Sequence, residues 1–180
     1  MKSILSGLFI SASLLCAGCS GSAPRPAANN QPAPAATNSS PANASTKITA
    51  ALPNSGFKAS LAISDPPAKM RAGERAVLQV RVKNASDTNW PALGESDGRY
   101  AITLRNRWLN AGTSKVVNDI DGGTSLPHDL ISGAEVVMAL RITAPAKVGD
   151  YDLEVDMVQE RVSFFREKGS QPAKISIKVE

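Results

Sequence analysis

GDYDLEVDMVQE, the stretch from Gly149 to Glu160, alternates apolar and polar, mostly acidic, residues. A period of two is typical of a β strand that buries one face and exposes the other. The apolar side chains would share the buried face: Tyr151, Leu153, Val155 and Met157. The acidic side chains would share the face in water: Asp152, Glu154 and Asp156. We therefore predict a strand here and expect the other strands to be arranged around it.

Six further segments after residue 56 have the pattern of short strands, and turn residues separate them. These segments are 57–63, 78–83, 100–108, 115–117, 136–143 and 175–179. None of this part of the sequence has the 3.6-residue apolar period of a helix. The pattern predicts an all-β fold, an antiparallel β-sandwich of about seven strands.

The Gly-x-Tyr step from Gly149 to Tyr151 resembles the tyrosine corner of immunoglobulin-like (Ig-like) sandwiches, in which the tyrosine hydroxyl bonds back to the chain. In that fold the segments 100–108, 149–160 and 175–179 would be strands C, F and G of one sheet. The acids of strand F would then lie between cations of strands C and G: Arg105, Arg107, Lys174 and Lys178. Opposite charges on neighbouring strands contribute about 0.2–1 kcal/mol per pair. We therefore assign these acids a structural role and predict no metal site.

Residues 1–18 have the layout of a signal peptide, with one lysine, an apolar run and small residues before Cys19. The ending Leu15-Cys16-Ala17-Gly18-Cys19 resembles a bacterial lipobox, whose last cysteine is acylated and becomes the mature N-terminus; Cys16 stands where that pattern usually has an aliphatic residue. We expect lipidation at Cys19, and the alternative is an ordinary signal peptide that leaves a soluble periplasmic protein. Ser20 replaces the aspartate of inner-membrane lipoproteins, so we expect an outer-membrane lipoprotein that faces the periplasm.

Residues 19–56 are rich in Pro, Ala, Ser and Asn and have almost no large apolar side chains. Such a segment cannot offset the entropy of ordering, so we predict a lipidated N-terminus followed by a disordered tether. The sandwich would occupy 57–180. After cleavage Cys19 would be the only cysteine, so no disulfide is expected. The cations are not clustered, and the sequence therefore predicts no nucleic-acid partner.

Several longer stretches carry a resemblance to a family. They are VRVKNASDTNWP at 80–91, YAITLRNRWLN at 100–110 and ITAPAKVGDYDLEVDMVQERVSFF at 142–165. Together they resemble a small Ig-like module of bacterial envelope proteins that is also appended to polysaccharide export and glycosyltransfer proteins. The resemblance implies a β-sandwich that binds or presents a partner and has no catalytic role. The ligands of that family vary, so the substrate stays open.

The aromatic and basic residues near strands C and F are the candidate binding site: Arg107, Trp108, Phe164, Phe165 and Arg166. If the two strands are adjacent, these side chains could gather on one part of the sheet and bind a glycan, because sugar rings stack on aromatic faces. The alternative is that Trp108 and one of the phenylalanines fill the core, as large aromatic side chains usually do.

Two other features are weaker candidates for a functional site. Asp119-Ile120-Asp121-Gly122 resembles the start of a calcium loop but lacks the closing carboxylate, so we interpret it as a sharp turn. His128 is the only histidine and is interpreted as a loop residue. We predict no catalytic residues, no cofactor and no bound metal; the competing hypothesis of a hydrolase would require Asp119, Asp121, His128 and Glu160 to converge.

The function that this sequence favours is that of a non-catalytic, membrane-anchored lipoprotein whose Ig-like domain is a binding or assembly module of the cell envelope. Its partners would be the membrane, through the lipid on Cys19, and an envelope protein or polysaccharide. The alternative is a polysaccharide-binding accessory domain of an envelope glycan pathway.

Overall fold

The protein, as a computed structural model, is described at residues 47–119 and 121–180. Within these two ranges the chain forms two short 3-10 helices, Asn54–Gly56 and Phe165–Lys168, and ten strands. The strands are β1 Ala59–Ser64, β2 Lys69–Met70, β3 Arg75–Asn84, β4 Ile102–Asn110, β5 Val116–Asn118, β6 Gly123–Ser125, β7 Glu135–Thr143, β8 Gly149–Gln159, β9 Ser163–Phe164 and β10 Ala173–Val179. Neither helix is long or apolar enough to cross a membrane. The predicted signal peptide, the lipidation site Cys19 and most of the predicted tether lie outside the described residues.

The strands form two sheets that face each other across one apolar core. The first sheet has the order β1-β3-β7, and the second has the order β2-β10-β8-β4-β5, with β6 also paired to β4 and β9 to β8. All neighbours are antiparallel except β2, which pairs in parallel with β10. The predicted all-β, Ig-like antiparallel sandwich is confirmed. Strands β4, β8 and β10 occupy the adjacent positions expected of strands C, F and G.

The alternation in the sequence correctly identifies the apolar face of each long strand. On β8 the four predicted inward side chains are all buried: Tyr151, Leu153, Val155 and Met157. They meet inward residues of the other sheet, which are buried as well: Leu78, Val80, Val82, Met138, Leu140 and Ile142. Burial of this kind contributes roughly 1.5–3 kcal/mol per large apolar side chain, and this holds the two sheets together.

The outer face of β8 is not in water, contrary to the sequence prediction. Glu154 is 9% exposed and Asp156 is 2% exposed. The reason is that the chain after β8 pairs with it in two separate strands. β9 pairs with the end of β8, the helix Phe165–Lys168 follows, and β10 then pairs with the rest of β8. Arg166 on this helix is bound to Asp156 on the strand, and it shields that carboxylate from solvent.

The segment before the first strand packs onto the sandwich. Ile48 donates its backbone N–H to the Leu93 carbonyl at 2.8 Å, and Leu52 is buried with its N–H bound to Gln159 Oε1 at 2.9 Å. The sequence assigned this segment to the disordered tether because it has few large apolar residues. The packed part of the chain therefore begins before Phe57, the predicted start of the domain.

Residues 121–123 close one open side of the sandwich between β4 and β7. The Gly122 N–H donates to Asn106 Oδ1 on β4 at 3.0 Å, and the Asp121 carboxylate accepts the backbone N–H of Thr143 on β7. A Cβ atom built on Gly122 would lie only 2.0 Å from the Arg141 carbonyl oxygen. The resemblance of this segment to a calcium loop thus reflects a tight backbone crossing.

Candidate functional site

Charged side chains cover the outer face of the β10-β8-β4 sheet, and most of them are paired with one another; Lys178, which was expected beside these acids, forms no ion pair with a described residue. Three of these pairs are Arg107–Glu154 at 2.7 Å, Arg166–Asp156 at 3.3 Å and Lys174–Asp152 at 2.9 Å. Most of these side chains belong to neighbouring strands, as the sequence analysis expected. The pairing differs in detail at Arg105, which lies opposite Asp156 in register but binds Glu160 at 2.8 Å.

The pKa values of two acids on this face are shifted in opposite directions. Burial raises the pKa of Asp156, and its bonds to the Arg166 N–H and guanidinium only partly oppose this effect. The hydrogen bond from Lys174, followed by that from Ser176, lowers the pKa of Asp152. Desolvation therefore destabilises the charged form of Asp156, which lies under the 3-10 helix. Asp152, near the edge of the face, is stabilised as a carboxylate.

The fold brings three of the five predicted binding residues together on this face. The Arg166 guanidinium carbon lies 3.7 Å from the centroid of the Phe164 ring. The same guanidinium approaches Glu154 at 3.8 Å, and Glu154 also holds Arg107. These contacts order the side chains before any ligand arrives, which reduces the entropy cost of binding.

The other two predicted binding residues do not face solvent. Trp108 and Phe165 are fully buried, so the prediction that they could stack on a sugar is wrong. Trp108 points inward from β4 and meets the Tyr151 ring edge-on at 6.3 Å. Phe165 meets the Phe57 and Trp90 rings edge-on. The alternative reading, in which Trp108 and one phenylalanine fill the core, is the correct one.

A groove opens beside Phe164, where the tight turn between β8 and β9 rises from the outer face. Its volume is about 260 Å³. Its lining combines apolar side chains with charged and polar ones: Val158, Val162, Phe164, Arg105, Gln159, Glu160, Arg161, Ser163 and Glu167. Sites for drug-sized ligands begin at about 300 Å³, so this groove fits a single sugar residue or one side chain of a partner.

Sequence reasoning missed most of this lining. Arg161 has a φ of 60°, which lets the chain reverse within a few residues, and the Val162 N–H closes the turn on the Gln159 carbonyl at 3.0 Å. The useful signal was Glu167, placed three residues after Phe164. Its carboxylate accepts the Phe164 N–H at 3.1 Å, the contact of an acidic residue in the first turn of a helix.

Tyr151 makes the hydrogen bond expected of a tyrosine corner. Its hydroxyl donates to the Lys147 carbonyl oxygen at 2.9 Å, and its ring lies against Gly149. This contact fixes the loop that leads from β7 into β8.

Three of the four residues that a hydrolase would need, all but Asp119, make separate structural contacts. Glu160 binds Arg105 and the Thr103 hydroxyl at the groove, and Asp121 binds β7 on another side of the sandwich. His128 lies in a loop with its Nδ1 2.9 Å from the Asp129 carbonyl oxygen. In the described part of the chain no three His, Cys, Asp or Glu side chains are grouped so that they could hold a metal ion.

The fold and this face define an Ig-like β-sandwich module. No family model and no curated protein matches the chain. Among solved structures, the CARDB domain of a Pyrococcus furiosus protein is 14% identical, with a TM-score of 0.41 over 68% of this chain and 94% of that one. A β-glucosidase of Listeria innocua is 14% identical, with a TM-score of 0.43 over 68% of this chain and 16% of that one. Similarities at this level support no inference about function.

Proposed function

We propose that this protein is a non-catalytic binding module of the bacterial cell envelope, anchored to the outer membrane by a lipid on Cys19 and facing the periplasm. The anchor rests on the sequence ending Ala17-Gly18-Cys19 and on the polar, proline-rich segment that follows it. Two or three lipid chains suffice for stable anchoring, and a lipoprotein N-terminus would supply them.

The groove beside Phe164 is the observation that supports a binding role, and it favours a polysaccharide over a protein partner. An aromatic ring offers the apolar face on which a sugar stacks, and the surrounding acid, guanidinium and hydroxyl groups can bond its hydroxyls. Phe164 supplies the ring, while Glu160, Arg161 and Ser163 lie around it. Arg166 already holds the ring in place from one side.

The test of binding uses the full-length protein in detergent, titrated with purified envelope polysaccharide in a calorimeter. Phe164→Ala should remove most of the heat of binding. Arg161→Ala should weaken binding, and Arg99→Ala is its matched control. Both arginines bind Asp97, at 3.0 and 3.2 Å, and both are well exposed (61% and 49%), but only Arg161 lines the groove. Equal effects of the two substitutions would contradict this site.

The anchor has its own test in cells that express the full-length gene. Palmitate labelling should mark the protein, and Cys19→Ala should abolish the label and release the protein from the outer-membrane fraction. A labelled Cys19→Ala protein, or an unlabelled wild type, would remove the anchor from the proposal and leave the groove to be judged by the calorimetry alone.

A further inference from the structure

The outer face of the β1-β3-β7 sheet carries four cations and one acid, Glu135. We name it the basic face and define it by Arg75, Val77, Arg81, Lys83, Val137 and Arg141. The alternation of β3 and β7 places all six on one side, and in register Val77 is opposite Arg141, Arg81 is opposite Val137 and Lys83 is opposite Glu135. All are at least partly exposed, and the two valines are each 55% exposed.

The charges of the basic face are poorly compensated. Arg81 and Lys83 share one carboxylate, Glu135, at the long distances of 3.5 and 3.4 Å. The guanidinium groups of Arg75 and Arg141 have no ion pair or hydrogen bond with any other described residue. A further acid, Asp121, lines the same groove as Arg75 and Arg141, and it is bound to the β7 backbone.

The opposite sheet shows that this excess of positive charge is particular to one face. There the arginines Arg105, Arg107 and Arg166 each hold a carboxylate at 2.7–3.3 Å. No two cations of the basic face are directly opposite each other in register. Their excess of positive charge attracts an anionic partner.

We propose that the basic face docks onto the anionic phospholipid headgroups of the membrane to which the protein is anchored. This proposal rests on the proposed function, because the lipid on Cys19 supplies the membrane. A chain as long as 20–46, if it behaved as the predicted coil, would have an r.m.s. span of roughly 30 Å and would hold the domain near the bilayer. Docking would then be an intramolecular event at a high effective concentration.

The shape and chemistry of the face favour headgroups over a single bound anion. The third strand of the sheet adds only small side chains to this side: Ser60, Ala62 and Ser64. The surface is thus a broad sheet with cations at intervals and two valines between them, rather than a cavity closed around one ion. One guanidinium group can bind two phosphate oxygens at once, and Arg75 and Arg141 both line a groove of about 630 Å³ on this face.

Each cation near an anionic surface contributes about a fivefold change in the docked-to-undocked ratio at low salt, and the effect decays within roughly 8 Å at physiological salt. Because Arg75 and Arg141 give up no ion pair on docking, they should contribute most. Loss of both should lower the ratio about 25-fold if their effects are independent.

The test uses the full-length lipoprotein reconstituted into vesicles of phosphatidylcholine alone or of an equal mixture with phosphatidylglycerol. Cys19 is expected to be blocked by its lipid, so Ala62→Cys would supply one free thiol on the basic face for a fluorophore. Ser176→Cys is the matched position on the outer face of the other sheet. Quenching by lipids with spin-labelled headgroups reports which face approaches the bilayer.

The label at Ala62 should be quenched in the anionic vesicles only, and the quenching should disappear at high salt and in Arg75→Gln/Arg141→Gln. The label at Ser176 should stay unquenched, and Lys174→Gln should change nothing. Equal quenching of both labels, or quenching that ignores the lipid charge, would overturn the proposal.

Co-flotation of the protein with the vesicles reports the anchor separately. If the protein fails to float with neutral vesicles, the anchor is contradicted. In that case the label at Ala62 is still expected to be quenched when anionic vesicles are added in excess, because the basic face would bind them without the anchor. A label at Ala62 that responds to anionic polysaccharide but to neither kind of vesicle would assign the face to a glycan and refute docking on lipid.

Discussion

Phe164 and Phe165 are adjacent in the sequence, yet their truncation should have very different consequences for folding. Phe165→Ala removes a fully buried ring that meets the Phe57 and Trp90 rings at 5.0 and 5.1 Å. Such a truncation costs about 3–5 kcal/mol in total, and the loss of two aromatic pairs, each contributing about 0.5–1.5 kcal/mol within that total, favours the upper part of the range. We expect a loss of about 4–5 kcal/mol in the free energy of unfolding, which approaches the whole stability of many domains.

Phe164→Ala is the matched control, because it removes the same side chain from the outer face. The ring is only partly buried there, and its main partner is the Arg166 guanidinium at 3.7 Å. A cation–π contact of this kind contributes about 0.5–2 kcal/mol, so we expect a loss of about 1–2 kcal/mol including the ring's partial burial.

Urea unfolding of the full-length protein in detergent, followed by circular dichroism, measures both variants. For a slope near 2 kcal/mol per molar urea, Phe165→Ala should lower the midpoint by about 2 M and Phe164→Ala by less than about 1 M. Fluorescence is unsuitable as the sole signal because Trp90 contacts Phe165 directly. Equal midpoints for the two variants, or a larger loss in Phe164→Ala, would refute the assignment of Phe165 to the core.

Three further substitutions test other parts of the fold. Gly122→Ala should lower the free energy of unfolding by about 1–3 kcal/mol in urea titrations, because the added methyl group would collide with the Arg141 carbonyl at the edge of the sandwich. Tyr151→Phe should cost about 1 kcal/mol by thermal unfolding, since it deletes the hydroxyl of the corner and leaves a loop carbonyl without its donor. Asp152→Asn should be less stable than the wild type at neutral pH, and the difference should vanish in acid: the Lys174 ammonium lowers the pKa of Asp152, so its stabilisation is present above the unfolded pKa and lost as the pH falls through the folded pKa.

The long strands could be predicted from the sequence because alternation is a local signal, whereas β2, β6 and β9, of two or three residues each, were not predicted. The adjacency of strands C, F and G came from the resemblance to Ig-like sandwiches, whereas the burial of inward residues such as Leu104 and Leu153 needs only the period of two. The choice between Phe164 and Phe165 was not accessible in the same way. Two adjacent aromatic residues fit either face of a strand, and a 3-10 turn held by Glu167 decides which one enters the core.

The burial of Asp156 could not be foreseen for a related reason. Its neighbours in sequence predict an exposed position, and the residue that covers it, Arg166, comes after a reversal of the chain. The Arg105–Glu160 contact likewise depends on the turn between β8 and β9 and not on strand register. Contacts between residues that are distant in sequence, formed across irregular segments, therefore determine the geometry of the groove. The regular strands only position the residues beneath it.

The two proposed surfaces lie on the outer faces of opposite sheets, so docking by one would orient the other. With the basic face on the bilayer, the groove beside Phe164 would point away from the membrane into the periplasm, where a polysaccharide chain could reach it. Salt should separate the two interactions, because exposed cations such as Arg81 are screened strongly, whereas the nearly buried pair of Arg166 and Asp156 that supports the groove is screened little. High salt should therefore release the domain from the headgroups while glycan binding persists, and parallel loss of both interactions would mean that the groove and the basic face act as one electrostatic surface.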